Sequence, residues 1–175
     1  MLSLQRDARR SLRDVAWSAA MAEFIANTAL LAFAFLMLIA AWTDAAKFTI
    51  PNWIPALMIG LWLVAAPFLG LGWTGAGLSL AVFAGVLALG MALWAPGWLG
   101  GGDVKLIAAG ALWFGWPDVI SFIVCAAAAG GVLALVLIAL RRLAPALPVS
   151  AESLGKTALA PGAPAPYAIA IAAGA

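Results

Sequence analysis

The chain contains four long apolar runs of close to 20 residues, and they restrict its fold more than any other feature. They cover residues 24–42, 53–71, about 78–94 and about 119–140. At 1.5 Å per residue, each run forms a helix that crosses most of a hydrocarbon core about 30 Å thick. Charged residues make up only 9% of the chain, against about 25% in a soluble domain. The sequence therefore excludes a water-soluble globule and predicts an all-α, polytopic membrane protein with about six transmembrane helices.

A shorter apolar segment lies between the third and the last of these runs, and it is therefore the fourth in chain order. Only about 12 residues lie between Asp103 and Trp116, or roughly 18 Å of helix. The preceding stretch 95–102 (APGWLGGG) is too rich in Gly and Pro for a stable helix. Irregular backbone inside a membrane persists only where protein or a water-filled cavity satisfies its N–H and C=O groups. We therefore predict a glycine-rich loop that dips into the membrane and lines a cavity.

The two ends of the chain fit this pattern less well. Residues 1–20 are polar and basic, and we interpret them as an N-terminal tail before a membrane domain of residues 21–175. The tail carries Arg6, Arg9, Arg10 and Arg13. Residues 166–175 are too few to span, so the last helix either starts earlier, near Thr157, or is truncated.

Tryptophan and basic residues predict the orientation of the helices. Trp prefers the membrane interface, and one predicted end carries Trp42, Trp53, Trp94 and Trp98, while the other carries Trp73, Trp113 and Trp116. The first end also holds Lys47, Lys105, Arg141, Arg142 and Lys156, and the positive-inside rule places it in the cytoplasm. The arginine tail argues for the opposite orientation, unless Met21 is the true start or the tail lies on the outer interface. The internal basic residues carry more weight because three separate segments agree.

The content of histidine and cysteine excludes several kinds of catalytic site. The chain has no histidine and one cysteine, Cys125. Ser–His and Cys–His catalysis, His-ligated metals, His-ligated haem and an intrachain disulfide are therefore excluded. We expect no metal and no cofactor, and a net charge of +2 is too small to indicate nucleic acid. Carboxylates remain as the main candidates for chemistry.

Two carboxylates stand out because both lie at the predicted cytoplasmic end. Asp44 follows the first run in WTDAAKFTIPN, and Asp103 opens the fourth segment in GGGDVKL. Ionisable groups near a membrane core are costly and are functional candidates by default. Alternatively, Asp103 is a helix N-cap and Asp44 a solvated loop charge. Gly100, Gly101 and Gly102 favour a functional site, because glycine lets the backbone approach a substrate or a second carboxylate closely.

These motifs, an Asp followed by IPN and GGGDVKL at the start of a membrane helix, resemble those of the type IV prepilin peptidases. They are also similar to those of the short branch that serves Flp-type tight-adherence pili. The resemblance covers roughly residues 30–140, with a weaker similarity in Pro166-Tyr167-Ala168. It implies an intramembrane aspartic endopeptidase of the bacterial cytoplasmic membrane, which removes the basic leader of prepilins at the cytoplasmic face with Asp44 and Asp103 as its catalytic pair. Larger members also methylate the new terminus and carry a four-cysteine domain that this sequence lacks, so cleavage without methylation is expected.

The expected chemistry needs only the two aspartates. A pair of carboxylates can hydrolyse a peptide bond when they share one proton around a water molecule. The helix N-terminus favours the ionised form of Asp103, which predicts Asp103 as the base. Gly100, Gly101, Gly102, Lys47 and Lys105 are expected to support the loop and the substrate, although both lysines also fit the role of interface anchors.

Two other functions are compatible with the same residues. One is a small proton- or cation-coupled carrier, in which Asp44 and Asp103 form an ion pathway at a broken helix. The other is a catalytically inactive assembly subunit of a secretion machine. The peptidase interpretation predicts prepilin helices and the lipid bilayer as partners, whereas a carrier would be expected to show inverted repeats, and the sequence has no convincing one.

Overall fold

The chain folds into helices that run back and forth through one bundle. A computed structural model describes residues 2–143 and 166–175. Within these ranges there is no β-strand, and the helices are α1 (Leu2–Lys47), α2 (Trp53–Ala65), α3 (Gly72–Trp94), α4 (Gly101–Phe114), α5 (Val119–Leu143) and α6 (Tyr167–Gly174). A short 3-10 helix, Ala66–Phe68, follows α2. The predicted all-α class is confirmed.

Three of the described helices are long and apolar enough to cross a membrane. They are Arg13–Lys47 within α1, Gly72–Trp94 and Val119–Leu143. Large apolar side chains on these helices are exposed, including Leu31, Leu89 and Leu135. Such a surface suits lipid and not water, so the chain is a polytopic membrane protein. The other three helices are shorter, and α4 spans only about 21 Å.

The helix bounds differ from the predicted runs in ways that proline and glycine explain. α2 ends at Ala65, before residue 71, because Pro67 lies in the first turn of the following 3-10 helix and cannot continue the α-helical hydrogen bonding. α3 starts at Gly72 instead of about residue 78. The basic N-terminal segment is helical and continues into the first span without a break. The alternative start of the last helix near Thr157, like Lys156, lies outside the described residues.

The short helix α4 lies at the centre of the bundle. Its residues Leu106, Ala108, Ala109, Ala111 and Leu112 are completely buried. Gly110 lets α4 approach its neighbours, because a Cβ there would lie 2.7 Å from the Phe122 ring and 3.0 Å from the Met37 methyl group. A helix surrounded by protein does not have to match the thickness of the bilayer by itself. This explains how the fold accommodates a fourth segment that is too short to span.

The alternating direction of the helices gathers several helix ends together. α1 and α3 finish, and α2 and α4 begin, at the same end of the bundle. We call this end, formed by residues 44–53 and 94–103, the glycine-loop end. Trp42, Trp53, Trp94 and Trp98 are all exposed at or beside this end, and their position at the membrane interface stays a prediction. Trp62, within α2, is instead buried.

Candidate active site

The glycine-rich segment makes a tight turn between α3 and α4. After α3 ends at Trp94, Gly97 adopts φ +83° and donates its N–H to the Trp94 carbonyl at 2.8 Å. Gly100 is extended, with φ −71° and ψ 138°, and is the N-cap residue of α4. The prediction of irregular backbone through residue 102 is therefore wrong at its end, because Gly101 and Gly102 form the first turn of α4. The loop proper ends at Gly100.

Asp103 is the third residue of α4 and its side chain turns back toward the start of the helix. Its carboxylate accepts a hydrogen bond from the Gly100 N–H. This is the bond that an acidic residue at N3 makes to the N-cap N–H in a capping box. Asp103 is thus not the N-cap itself, which corrects the alternative considered from the sequence. A methyl group at Gly100 would lie 2.6 Å from Asp103 Oδ2, so only glycine leaves room for this contact.

Asp44 lies one turn before the end of α1 and is followed by an abrupt change of chain direction. Phe48 adopts φ +52° and donates its N–H to the Asp44 carbonyl at 2.8 Å. A non-glycine residue in this left-handed conformation costs about 1–2 kcal/mol. The turn carries the following residues against α4, where a Cβ at Gly102 would lie 3.2 Å from Ile50 Cβ. The turn at Phe48 therefore brings the segment after Asp44 into contact with the glycine segment.

The two aspartates line one cavity, although they are far apart in the chain. The cavity has a volume of about 260 Å³. Its lining consists of Asp44, Phe48, Thr49, Ile50, Gly100, Gly101, Gly102 and Asp103. Asp44 is only 6% exposed. The structure therefore brings together both carboxylates and all three glycines singled out in the sequence, and adds a wall from residues 48–50 that the sequence reasoning did not identify.

The electrostatics of Asp103 depend on burial and on Asp44 as well as on the helix end. Asp103 lies in the first turn of α4, outside the three spanning helices. Burial and the negative charge of Asp44 raise the pKa of its carboxyl from 3.8 to about 6, although the Gly100 N–H acts in the opposite direction. The helix N-terminus acts in the expected direction through the Gly100 N–H, but burial and the charge of Asp44 have the larger effect on the pKa of Asp103, and its role as the base stays a prediction.

A backbone group from the far end of the chain completes the surroundings of Asp44. The N–H of Ala168, in the first turn of α6, donates to Asp44 Oδ2 at 2.9 Å, and this hydrogen bond is buried. The sequence reasoning missed this contact and left the neighbouring Tyr167 without a role. The only available signal was the weak family similarity in Pro166-Tyr167-Ala168.

The two lysines near the aspartates do not line the cavity. Lys105 Nζ donates to Asn52 Oδ1 at 2.8 Å, which ties the start of α4 to the start of α2. Asn52 occupies the N-cap position of α2 but makes no side-chain cap, because its amide oxygen accepts from Lys105. Lys47 is exposed in the last turn of α1. Lys105 thus contacts the segment beside the cavity, and a role of Lys47 as an interface anchor stays a prediction.

A second, apolar cavity begins at Asp103 and runs between three helices. It has a volume of about 340 Å³. Its walls are Leu99, Asp103 and Ile107 near α4, small residues of α5 from Ala126 to Ala134, and Tyr167, Ala170 and Ile171 of α6. Gly130 lies close to α6, since a Cβ there would lie 3.5 Å from Ala170 Cβ. Gly131 instead faces open space.

Two acidic groups that line one cavity, next to a second, apolar cavity, are suited to acid–base chemistry on a membrane-embedded peptide. Within residues 2–143 and 166–175, there is no group of three His, Cys, Asp or Glu side chains that could hold a metal ion. The site can therefore be described with the two carboxylates and the backbone groups that hold them.

Comparison with known proteins gives one match that covers this site. A family model described as the type IV leader peptidase family matches residues 31–135, more than half of the 175-residue chain. The match includes both Asp44 and Asp103. No curated protein and no solved structure matches the chain. The chain belongs to the type IV leader peptidase family, and is a membrane-embedded peptidase that removes prepilin leaders.

Proposed function

We propose that Asp44 and Asp103 are the catalytic dyad of this leader peptidase. The observation that carries the proposal is their shared cavity of about 260 Å³, in which the charge of Asp44 acts on Asp103. Like charges in such a space do not both ionise readily, so the pair retains one proton over a range of pH. That is the state in which two carboxylates hydrolyse a peptide bond.

The reaction assigns one role to each aspartate. The ionised Asp44 accepts a proton from a water molecule, whose oxygen attacks the carbonyl carbon of the scissile peptide bond. The protonated Asp103 donates a proton to the carbonyl oxygen, giving a neutral tetrahedral diol. Collapse of the diol breaks the C–N bond, with one proton transferred to the leaving amine and one returned to the dyad. The buried hydrogen bond from the Ala168 N–H favours an ionised Asp44 and supports this division of roles.

The substrate in this proposal is a Flp-type prepilin in the bacterial cytoplasmic membrane. The apolar cavity of about 340 Å³ that begins at Asp103 suits the apolar helix that follows the leader. Small side chains along α5 allow a second helix to approach closely in a membrane. The basic leader then lies at the glycine-loop end, on the cytoplasmic side.

The direct test is leader cleavage by the protein in a membrane. The purified protein, reconstituted in liposomes with a Flp-type prepilin, should shorten the prepilin at its leader junction, as read by mass spectrometry. The same liposomes without the protein are the control. An intact prepilin after prolonged incubation with the folded protein would contradict this choice of substrate.

The orientation of the protein gives a prediction that does not depend on activity. In a Cys125→Ser background, we expect a cysteine at Thr49 to react with an impermeant thiol reagent only after the inner face is opened. Thr49 is exposed at the glycine-loop end, whereas Thr74 is exposed near the start of α3 at the other end. A Thr74→Cys variant is the matched control and should react in intact cells. Labelling with the reverse pattern would refute a cytoplasmic site.

The raised pKa of Asp103 also predicts a pH-dependent effect on stability. Because this pKa is about 6 in the folded protein and 3.8 ordinarily, the folded state binds more protons between these values, and the free energy of unfolding falls as the pH rises. The Asp103→Asn variant does not titrate there. We expect its apparent unfolding temperature in detergent to exceed that of the parent by about 2–6 °C at pH 7.

The difference should disappear near pH 4, where the parent Asp103 is protonated. Tryptophan fluorescence at a fixed heating rate measures both proteins. Asp118→Asn, at an exposed carboxylate before α5, is the control and should match the parent at each pH. A constant difference between parent and Asp103→Asn from pH 4 to 7 would show that Asp103 titrates normally.

A further inference from the structure

We infer that α6 is part of the active site, with the Ala168 N–H acting as a positioning group for Asp44. The inference rests on the proposed function, because it takes Asp44 as a member of the dyad. α6 lies beyond the residues 31–135 that match the family model. Its first turn nevertheless supplies a buried hydrogen bond of 2.9 Å to Asp44 Oδ2, across 124 positions in the chain.

The first turn of a helix is suited to this task. Its N–H groups have no partners within the helix, so they remain available to an external acceptor. Pro166 is the N-cap residue of α6, and Ala168 is the second residue of the helix. A carboxylate near a helix N-terminus also interacts favourably with the helix dipole. The Ala168 bond therefore satisfies both a helix end and a buried acid.

The bond also fixes the rotation of the Asp44 carboxylate. With Oδ2 held by Ala168, the second oxygen, Oδ1, is left for the catalytic water and for Asp103. Free rotation would place either oxygen toward the dyad and would weaken the alignment on which proton transfer depends. The positioning group thus acts through Asp44 and does not itself contact the substrate in this reaction.

Close packing against α5 holds α6 in the place that this bond requires. A Cβ at Gly174 would lie 2.7 Å from the Ala126 backbone N and 2.9 Å from the Phe122 carbonyl oxygen. Both contacts are to the backbone, which cannot move aside as a flexible side chain can. Ala168 itself is completely buried. The register of α6 on α5 is therefore tightly specified, and with it the position of the Ala168 N–H.

The first test separates the N–H from the volume of the side chain. Ala168→Pro removes the N–H at a position in the first helical turn, where proline is tolerated. Ala168→Val adds a side chain similar in size to that of proline but keeps the N–H. Ala168→Gly keeps the N–H and removes the methyl group. We expect kcat for leader cleavage to fall about 30-fold or more in Ala168→Pro, as for the loss of a hydrogen bond to a charged group. KM should stay within about threefold of the parent, because the substrate groove is unchanged.

The two variants that keep the N–H should retain kcat within about fivefold of the parent. Equal losses in Ala168→Pro and Ala168→Val would show that packing alone matters, and would overturn the inference. So would a parental kcat in Ala168→Pro. All rates are compared at matched levels of folded protein in the membrane.

The second test moves α6 without touching Ala168. Gly174→Ala should displace α6 from α5 and lower kcat by about tenfold. Because α6 also lines the apolar cavity, KM is expected to change in this variant, and the Ala168 variants carry the comparison of kcat with KM. Gly85→Ala is the matched control, since a Cβ at Gly85 meets nothing within 4 Å. Equal rates in Gly174→Ala, Gly85→Ala and the parent would contradict a required placement of α6.

These experiments distinguish the inference from the proposed function. If the parent protein cleaves the prepilin and the Ala168 and Gly174 variants cleave it equally fast, the inference alone fails. If Asp44→Asn retains parental activity, the dyad itself is wrong.

Discussion

Asp44→Asn and Asp103→Asn are each expected to reduce leader cleavage by at least about 10³-fold. The two carboxylates share a proton, so losing the ionisable oxygen of either leaves no working pair. Asn has nearly the shape of Asp and can still accept a hydrogen bond, so contacts with Ala168 and Gly100 persist in the variants. The measurement is single-turnover cleavage of the prepilin in liposomes, with membrane insertion confirmed for each variant.

The double variant and a distant acid provide the controls. Removing both aspartates should cost little more than removing one, because the members of a catalytic unit are not additive. Asp118→Asn changes an exposed carboxylate at the opposite end and should cleave at the parental rate. Near-parental cleavage by either single variant would end the aspartic-dyad proposal. Ion flux that depends on both acids, without peptide cleavage by the parent, would instead favour the carrier interpretation.

The convergence of Asp44 and Asp103 could be predicted from the sequence because it depends on topology. Apolar runs fix the number of crossings between them, and an even number of crossings returns the chain to the same end of the bundle. Three adjacent glycines before Asp103 then indicate a close approach of the backbone. Apolar runs and three adjacent glycines can both be recognised in a sequence, and the structure agrees with what they predict.

The Ala168 bond could not be predicted in the same way. Every residue except proline has a backbone N–H, so no residue type identifies the donor. The contact joins positions 124 residues apart and depends on how deeply α6 packs against α5. That depth is set by the missing Cβ of Gly174, which in sequence is one glycine among 18.

The net shift in the pKa of Asp103 could not be predicted for a related reason. The start of a helix can be recognised from the sequence, and it favours a negative charge. Burial and the distance to a second acid depend on the folded structure, and here they have the larger effect. The start of α4 was misplaced because a run of glycines disfavours a helix locally, whereas the Asp103 bond to Gly100 and the buried position of α4 stabilise it.

Gly100→Ala is expected to lower kcat for leader cleavage by about 10²-fold, as for a misplacement of about 1 Å in a catalytic group. The backbone of Gly100 has φ −71° and ψ 138°, values that alanine adopts without strain. The N-cap conformation is therefore retained, and the effect comes from the new methyl group. It would lie 2.6 Å from Asp103 Oδ2, so the carboxylate must rotate away and lose its bond to the Gly100 N–H.

Two other glycines provide a graded comparison for this effect. A Cβ at Gly102 would lie 3.2 Å from Ile50 Cβ, a contact that a shift of a few tenths of an ångström relieves, so Gly102→Ala should lose only a few-fold in kcat. Gly85→Ala, with open space around it, should be as active as the parent. Single-turnover cleavage at matched membrane levels gives all three rates. Equal activity of Gly100→Ala and Gly102→Ala would show that the orientation of Asp103 does not limit the reaction, because only the first change reaches its carboxylate.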